Sequence, residues 1–304
     1  MSDAVRQVAE ALGDLVRADV PIGSMTTYRV GGSAALHAVV DDEADLVEVG
    51  RAVRSSGIPV LVVGKGSNLL VSDDGFPGLA VTLGSAFESI EIDGTCVRAG
   101  GAASLPVVAR RTASEGLTGF EWAVGVPGSI GGAVRQNAGG HGSDMAQTLR
   151  RVRVFDLATG EDWVVEAERL ALGYRRSSVA PPQIVVWAEL DLREGSTEAA
   201  EREIAEIVRW RRENQPGGQN SGSVFTNPPG DAAGRLIDEA GCKGLRIGSA
   251  EVSTKHANFI QSDVGGAAAD VVALMDEVRR RVLADSGVDL VPETRLVGFA
   301  GRDR

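Results

Sequence analysis

Residues 121–144 read EWAVGVPGSIGGAVRQNAGGHGSD, and the fold of the chain is best approached from this stretch. It shows neither the 3.6-residue period of a helix nor the alternation of a strand, which predicts a long irregular segment. Apolar residues such as Trp122, Val124 and Ile130 recur along it, so it is not expected to be disordered. Long irregular segments inside compact domains are usually functional. Extended, glycine-rich backbone with apolar flanks suits contact with a large, flat, phosphorylated cofactor.

A second glycine segment lies nearer the N-terminus. A predicted strand, Ala35–Val40, is followed by a helix that Asp41-Asp42 caps and Gly57 closes. A second strand, Pro59–Val63, then leads into Gly64–Asn68, whose amides form a nest suited to a phosphate. Glycine loops also simply turn the chain. No GxGxxG opens a helix after a strand and no GxxxxGK[ST] is found, which disfavours Rossmann and P-loop proteins.

Composition excludes several classes of protein. The chain has 304 residues and a formal net charge of −11, which argues against general binding to nucleic acid or acidic membranes. Two cysteines 146 positions apart, Cys96 and Cys242, and three histidines disfavour a disulfide scaffold and predict no metal site. The N-terminus lacks a signal-peptide pattern, and no apolar run approaches the ~20 residues of a membrane span. We therefore expect a cytoplasmic protein without a membrane partner.

Patterning divides the chain into three blocks, residues 1–85, 86–195 and 196–304. The middle block ends in a predicted hairpin around 158–160. The third block contains predicted helices and a final strand, at about 198–212, 231–240, 266–283 and 289–299.

Six segments resemble the UDP-N-acetylenolpyruvoylglucosamine reductase (MurB) family, and they occur in the family's order along nearly the whole chain. They are Thr26-Thr27-Tyr28 with Gly31-Gly32, VGKGSNLLVSDDGF at 63–76, GFEWAVGVPGSIGGAVRQNAGGHG at 119–142, Tyr174-Arg175 with Ser177-Ser178, GSVFTNPPGDAAGRLIDEAGCKGLRIGSAEVSTKHANFI at 222–260, and Val291-Pro292-Glu293-Thr294-Arg295.

This resemblance implies an α+β fold in three parts. Residues 1–85 and 86–195 are the two subdomains of a FAD-binding fold of the vanillyl-alcohol-oxidase (PCMH) type. Residues 196–304 are a MurB-type C-terminal α/β domain that binds substrate. The implied cofactor is non-covalent FAD, with NADPH as electron donor. The residues expected to bind FAD are Gly64, Lys65, Gly66, Ser67, Asn68, Gly125, Val126, Pro127, Gly128, Ser129, Gly131, Gly132, Asn137, Ala138 and Gly139.

The resemblance also assigns catalytic roles to Arg175, Ser223 and Glu293. In the implied reaction, hydride adds to an enol ether conjugated to a carboxylate, and negative charge develops on the neighbouring carbon. A guanidinium can stabilise that charge, and a hydroxyl can donate the proton that follows. Glu293 would assist if it retains its proton. Spacing alone favours more ordinary roles, with Arg175 in a surface ion pair, Ser223 as a turn hydroxyl and Glu293 as a strand-edge charge paired with Arg295; the resemblance reverses that preference.

The substrate implied by the family is a nucleotide sugar, UDP-N-acetylglucosamine enolpyruvate. The residues expected to bind it are Tyr174, Arg211, Asn227, His256 and Asn258. Thr226 and Asn214 stand where the family often has lysine, so Arg211 or Arg212 is expected to supply charge for the diphosphate.

Two other functions fit parts of the chain. A flavin oxidase or dehydrogenase acting on a sugar or alcohol explains the first two blocks but leaves GSVFTNP and PETR without a role. A silent nucleotide-sugar-binding protein would not require the Arg175, Ser223 and Glu293 set.

Overall fold

The computed structural model describes residues 2–301, which form two compact units. The larger unit consists of the residues up to Asp19, Ala35–Lys65 and Gly78–Arg211. The smaller unit consists of Val20–Ala34, Gly66–Pro77 and the chain from Arg212 onward. Both contain helices and strands, which confirms the α+β class.

The described residues contain seven α-helices. They are α1 Asp3–Leu12, α2 Glu43–Ser56, α3 Leu105–Ser114, α4 Ile130–Gln136, α5 Thr197–Asn214, α6 Ala233–Glu239 and α7 Ala268–Ser286.

The strands of the described residues are short. They are β1 Val16–Val20, β2 Ala34–Val40, β3 Val60–Val62, β4 Leu69–Val71, β5 Phe76–Leu83, β6 Ile90–Asp93, β7 Cys96–Gly100, β8 Leu117–Thr118, β9 Gly139–Gly140, β10 Ser143–Asp144, β11 Leu149–Asp156, β12 Asp162–Glu166, β13 Gln183–Asp191, β14 Arg193–Glu194, β15 Arg246–Ile247, β16 Ala250–Val252, β17 Ile260–Ser262 and β18 Arg295–Val297.

A four-stranded sheet in the order β1-β2-β5-β3 carries the first glycine loop. The expected strand–helix–strand unit is confirmed over β2, α2 and β3. The Asp42 side chain accepts a hydrogen bond from Asp45 N–H at 2.9 Å, and Gly57 ends the helix at φ 63°. Strand β3 pairs in parallel with β5, so Gly64 lies just beyond the carboxyl end of a sheet strand.

The stretch that was expected to be irregular contains a short helix. Helix α4 begins after Ser129, whose Oγ accepts a hydrogen bond from Gly132 N–H at 3.4 Å. Ile130, Ala133 and Val134 are its buried face. The helix has only seven residues, which is too short for its 3.6-residue period to show in the sequence. Its two glycines also lower the helix propensity. The prediction of an irregular segment was therefore wrong for residues 130–136.

A five-stranded antiparallel sheet in the order β12-β11-β13-β7-β6 forms the centre of the larger unit. Helices α3 and α4 contribute buried apolar residues to the same core as this sheet. Glu189 on β13 lies opposite Arg151 on β11 and Arg98 on β7. Its buried carboxylate accepts a hydrogen bond from Arg151 Nε at 2.6 Å and one from Arg98 Nη2 at 2.5 Å, so three neighbouring strands are joined by charge-assisted bonds.

The smaller unit has its own apolar core, built from three separated parts of the chain. Tyr28 and Leu70 come from the early segments, and Phe225 and helix α7 come from the C-terminal part. Strand β4 pairs in parallel with β18, which joins residues 69–71 to 295–297. Burial raises the pKa of Tyr28 to about 12, so its side chain is a neutral member of this core.

This division differs from the continuous blocks expected from the sequence. Residues 20–34 and 66–77 group with the C-terminal part, because their apolar side chains and strand β4 complete its core. The division of residues 1–195 into two FAD-binding subdomains stays a prediction.

Among residues 2–301, every helix is either too short or too polar to cross a membrane.

We expect Glu189→Gln to lower the free energy of unfolding at pH 7 by about 1–2 kcal/mol, because an amide replaces the charge-assisted acceptor of two arginines. Those arginines hold the pKa of Glu189 below its usual 4.5. A lowered carboxyl pKa contributes stability above the unfolded value, and this is lost as pH falls through the folded value. The deficit of the variant should therefore shrink below about pH 4.5.

Urea unfolding at pH 7 and at pH 3 measures this difference. The exposed Glu194→Gln is the matched control and should behave like the wild type at both values. A Glu189→Gln deficit that is absent at pH 7, or equal at the two pH values, would contradict the argument.

Candidate functional site

A cleft in the larger unit is walled by backbone from several glycine-rich segments. It lies beside the carboxyl end of β3, the start of α4 and the start of β13, where Gly64, Gly132 and Val185 line it. Gly101 N–H donates to Val186 O at 2.8 Å, and Gly131 N–H donates to Gly101 O at 2.9 Å. These bonds fix three segments against one another.

Because glycine has no side chain, these segments can approach one another closely. A Cβ on Gly64 would lie 2.6 Å from Ser129 Oγ, and a Cβ on Gly131 would lie 3.1 Å from Gly101 O. A Cβ on Gly101 would collide with the carbonyl oxygen of Val185. Larger residues at these positions would displace a wall of the cleft. Glycine backbone, apolar walls and the nearby cations Lys65 and Arg135 fit a flat, phosphorylated cofactor such as FAD.

The predicted cofactor residues fall into distinct groups. Five of them line the cleft: Gly64, Lys65, Ser129, Gly131 and Gly132. Gly66, Ser67 and Asn68 belong to the smaller unit. The remaining predicted residues lie outside the lining, namely Gly125, Val126, Pro127, Gly128, Asn137, Ala138 and Gly139.

The sequence analysis did not predict several other residues that line the cleft. Gly101 and Ala102 follow strand β7, and the run Gly100-Gly101-Ala102-Ala103 was an available signal of close backbone approach. Val179 and Ile184 gave no signal, because isolated apolar residues near a strand are read as core.

Lys65 is the cation at the rim of the cleft. Its ammonium donates to Glu88 Oε1 at 2.8 Å, and both side chains are partly exposed. Such an exposed pair adds little stability and only favours one direction of the lysine side chain.

Asn137 holds the segment after α4 in place. It is buried at φ 40°, and its Nδ2 donates to Asp144 Oδ2 at 3.2 Å and to Gly173 O at 3.0 Å. Its Oδ1 accepts a hydrogen bond from Ala146 N–H at 2.9 Å. The Asn137 amide is therefore engaged by protein groups.

Tyr174 and Arg175 occupy the tip of a tight turn. Gly173 and Arg176 exchange backbone hydrogen bonds of 3.0 and 3.1 Å on either side of it. Arg175 has φ 56°, a strained conformation for a residue with a side chain. Its Nη2 donates to Gly139 O at 3.1 Å, and its guanidinium lies 5.1 Å from the centre of the Tyr174 ring. Tyr174 itself is 58% exposed, so the turn presents an aromatic ring and a cation together.

Arg211, near the end of α5, lies close to the glycine stretch. A Cβ on Gly125 would lie 3.3 Å from Arg211 Cδ. Burial lowers the pKa of Arg211 from its usual range, and the guanidinium remains charged near neutral pH.

In the smaller unit, the backbone brings the Ser223 and Glu293 segments together. Glu293 N–H donates to Val224 O at 2.7 Å, and Thr226 N–H donates to Val291 O at 2.9 Å. Asn68 adds a third connection, because its Nδ2 donates to the carbonyl oxygen of Glu293 at 3.1 Å. Ser223 and Glu293 thus lie on two segments that are paired by backbone hydrogen bonds, one of which joins Glu293 to Val224, the residue after Ser223.

The side chain of Asn258 holds the loop that follows Ser223 through two hydrogen bonds to Phe225. Its Oδ1 accepts from Phe225 N–H at 3.0 Å, and its Nδ2 donates to Phe225 O at 2.8 Å. The side chain is 3% exposed. Both polar atoms of this buried amide bond to the backbone of Phe225, and its contact with the substrate stays a prediction.

Asn227 and His256 also make contacts within the smaller unit. Asn227 Oδ1 accepts a hydrogen bond from Ala233 N–H at 3.0 Å, at the start of α6. The His256 ring lies 4.7 Å from that of Phe259, and burial is the main cause that lowers its pKa below 6.5. At neutral pH this imidazole is uncharged.

Two family models match the chain. The UDP-N-acetylenolpyruvoylglucosamine reductase C-terminal domain matches residues 214–297, and an FAD binding domain matches residues 34–165.

Curated relatives of the chain are named UDP-N-acetylenolpyruvoylglucosamine reductase. The reductase of Heliobacterium modesticaldum is 46% identical over 284 residues, covering 92% of this chain and 90% of the relative. UDP-N-acetylenolpyruvoylglucosamine reductase 2 of Symbiobacterium thermophilum is 39% identical and covers 98% of this chain and 97% of the relative.

A solved structure agrees with both findings. The crystal structure of UDP-N-acetylenolpyruvylglucosamine reductase (MurB) from Thermus caldophilus has a TM-score of 0.81 at 37% identity, covering 93% of this chain and 99% of that one. The chain therefore belongs to the UDP-N-acetylenolpyruvoylglucosamine reductase family, and it is an oxidoreductase whose FAD-binding domain precedes the family's C-terminal domain.

Proposed function

We propose that this protein reduces UDP-N-acetylglucosamine enolpyruvate to UDP-N-acetylmuramate in peptidoglycan synthesis, in the cytoplasm, with NADPH as electron donor and FAD bound without a covalent link. The observation that carries the proposal is the paired backbone of the Ser223 and Glu293 segments, clamped by Asn258. A protein that merely bound a nucleotide sugar would not require a serine and a glutamate on paired segments.

FAD would be held in the cleft of the larger unit by Gly64, Ser129, Gly131 and Gly132, and Lys65 would offer positive charge to its phosphates. When bound it supplies hydride transfer. The chain's own contribution is a preformed, largely apolar surface that orients the ring system and limits access of water.

Arg175 is proposed to stabilise the negative charge that develops on the substrate carboxylate and the adjoining carbon. Its strained backbone and its bond to Gly139 O hold the guanidinium in one direction before substrate binds. A donor fixed in advance stabilises developing charge more than one that must reorganise.

Ser223 is proposed to donate a proton from Oγ to the carbanionic carbon after hydride addition. Glu293 assists if its carboxyl keeps a proton and donates a hydrogen bond to the same charge. The 2.7 Å bond from Glu293 N–H to Val224 O keeps both residues on one rigid pair of segments.

Tyr174 and Arg211 are proposed to contact the nucleotide sugar, Arg211 through the diphosphate and Tyr174 through its exposed ring. We assign Asn227 and Asn258 to positioning, because their side chains bond to the backbone of Ala233 and Phe225. His256 then acts as a neutral hydrogen-bonding group.

The cofactor assignment predicts about one FAD per purified chain, released intact by denaturation. Gly132→Leu should weaken FAD binding at least about tenfold, because it places a side chain in the cleft. Gly140→Leu is the matched control: a Cβ there meets nothing within 4 Å, and Gly140 does not line the cleft. Flavin absorbance and fluorescence titration of apoprotein measure both. A colourless protein that binds no added FAD, or equal effects of the two variants, would contradict the assignment.

The reaction predicts ping-pong kinetics, because NADPH and the enolpyruvyl substrate visit one reaction centre in turn. Initial rates at several fixed NADPH concentrations should give parallel double-reciprocal lines. Intersecting lines without substrate inhibition would contradict this order. Peroxide formed from a sugar or alcohol, without use of NADPH, would favour the flavin oxidase instead.

Ser223→Ala should separate the two half-reactions. FAD content and flavin reduction by NADPH should stay nearly unchanged, because neither needs the proton donor. Flavin reoxidation by the enolpyruvyl substrate should slow by ~10²–10⁴-fold, and Ser223→Cys should recover part of the rate.

Stopped-flow absorbance of the flavin measures both half-reactions. Ser221→Ala is the matched control, since it removes a neighbouring hydroxyl that bonds Thr294 at 2.9 Å and leaves Ser223 in place. Reoxidation of Ser223→Ala at the wild-type rate would assign the proton to another group.

A further inference from the structure

Left-handed backbone is concentrated in two segments of the larger unit. Among residues 2–301, six residues other than glycine have a positive φ, and four of them are Asn137, His141, Ala171 and Arg175. This conformation is uncommon for a residue with a side chain, and it persists where the surrounding structure enforces it. Segments 137–141 and 171–175 therefore require contacts that hold them in this form.

Two hydrogen bonds, one in each direction, join the end of helix α4 to the turn of residues 173–176, which carries Arg175. Asn137 Nδ2 donates to Gly173 O at 3.0 Å, and Arg175 Nη2 donates back to Gly139 O at 3.1 Å. Asn137 is 2% exposed, so water does not compete for its bond. The pair holds the turn through its backbone and through the guanidinium.

Ser177 adds a third connection on the far side of the turn. Its Oγ donates to Arg135 O, at the end of α4, at 2.8 Å. The helix has only seven residues, and Gly131, Gly132 and Arg135 from it line the cleft. One short helix thus forms part of the cleft wall and also holds the turn that carries Arg175.

The amide of Asn137 is used entirely within the protein. Its second N–H donates to Asp144 Oδ2 at 3.2 Å, and its Oδ1 accepts a hydrogen bond from Ala146 N–H at 2.9 Å. An asparagine amide has two N–H groups, and both are engaged here. The side chain therefore acts on neighbouring segments, and the cofactor contact expected of this residue stays a prediction.

We propose that Asn137 and Ser177 are positioning residues for Arg175, and that they hold its guanidinium where negative charge develops on the substrate. This inference rests on the proposed function, in which Arg175 stabilises that charge. A donor fixed in advance loses much of its effect when it is displaced by about 1 Å. Removal of either side chain should therefore slow the step in which the charge develops and leave flavin reduction by NADPH nearly unchanged.

Asn137→Gly removes the amide, and glycine adopts φ 40° without strain. We expect flavin reoxidation by the enolpyruvyl substrate to slow by ~10–10²-fold, with FAD content and flavin reduction nearly unchanged. Ser177→Ala should show the same pattern, and Ser177→Thr should restore the rate because it keeps the hydroxyl. Stopped-flow absorbance of the flavin measures both half-reactions. Ser177→Ala removes a single half-buried hydroxyl, so it decides the question if Asn137→Gly does not fold.

Ser114→Ala is the matched control. Ser114 lies in the same unit, at the end of α3, and its Oγ also donates to a backbone carbonyl, Arg111 O, at 2.8 Å. It is remote in sequence from the turn and does not line the cleft. Both half-reactions of Ser114→Ala should proceed at the wild-type rate.

A double-mutant cycle separates positioning from a merely structural role. In an Arg175→Ala background, Asn137→Gly and Ser177→Ala should slow reoxidation by less than about twofold further, because the guanidinium that they position is gone. Effects that multiply in full, a loss of FAD, or wild-type reoxidation in both single variants would overturn the inference. Wild-type reoxidation in Arg175→Ala alone would overturn the proposed role of Arg175, and this inference with it.

Discussion

The hydrogen bonds of Gly101 are the constraint on which the cleft of the larger unit depends. Its N–H donates to Val186 O, and its carbonyl accepts from Gly131 N–H, so β13 and the start of α4 are held to one backbone position. A side chain at residue 101 would collide with the carbonyl of Val185. The absence of that side chain lets the walls form from peptide groups. Backbone without side chains lets a flat ligand approach such a wall closely.

Local signals predicted the first part of the fold well. Asp42 as a cap, Gly57 in the left-handed region and the apolar spacing of α2 each act within a few residues, so the sequence shows them directly. Local signals could not predict which segments of the chain make up the smaller unit. Tyr28 and Leu70 share a core with residues beyond 224, and β4 pairs with a strand more than two hundred residues later. Contiguous patterning carries no information about such long-range pairing.

Site residues were recognised by motif more readily than by role. Ser129, Gly131 and Gly132 line the cleft as their motif indicated, whereas Asn137 and Asn258 are engaged by protein groups. The reason is physical. A buried amide needs hydrogen-bond partners, and nearby protein groups supply two of them to Asn258 and three to Asn137. A motif asparagine can therefore act on the ligand by fixing a loop, and burial distinguishes the two roles.

Charge distribution links the fold to the proposed chemistry. A chain with a net charge of −11 repels anionic nucleotides at long range, so attraction must come from cations at the site. A different local contact positions each of these cations. Glu88 directs Lys65, the carbonyl of Gly139 and the ring of Tyr174 fix Arg175, and partial burial next to Gly125 constrains Arg211. Contacts that are short and partly desolvated are screened little by salt. In the proposed reaction, the position of a few cations, rather than the total charge of the chain, therefore determines whether an anionic substrate is bound.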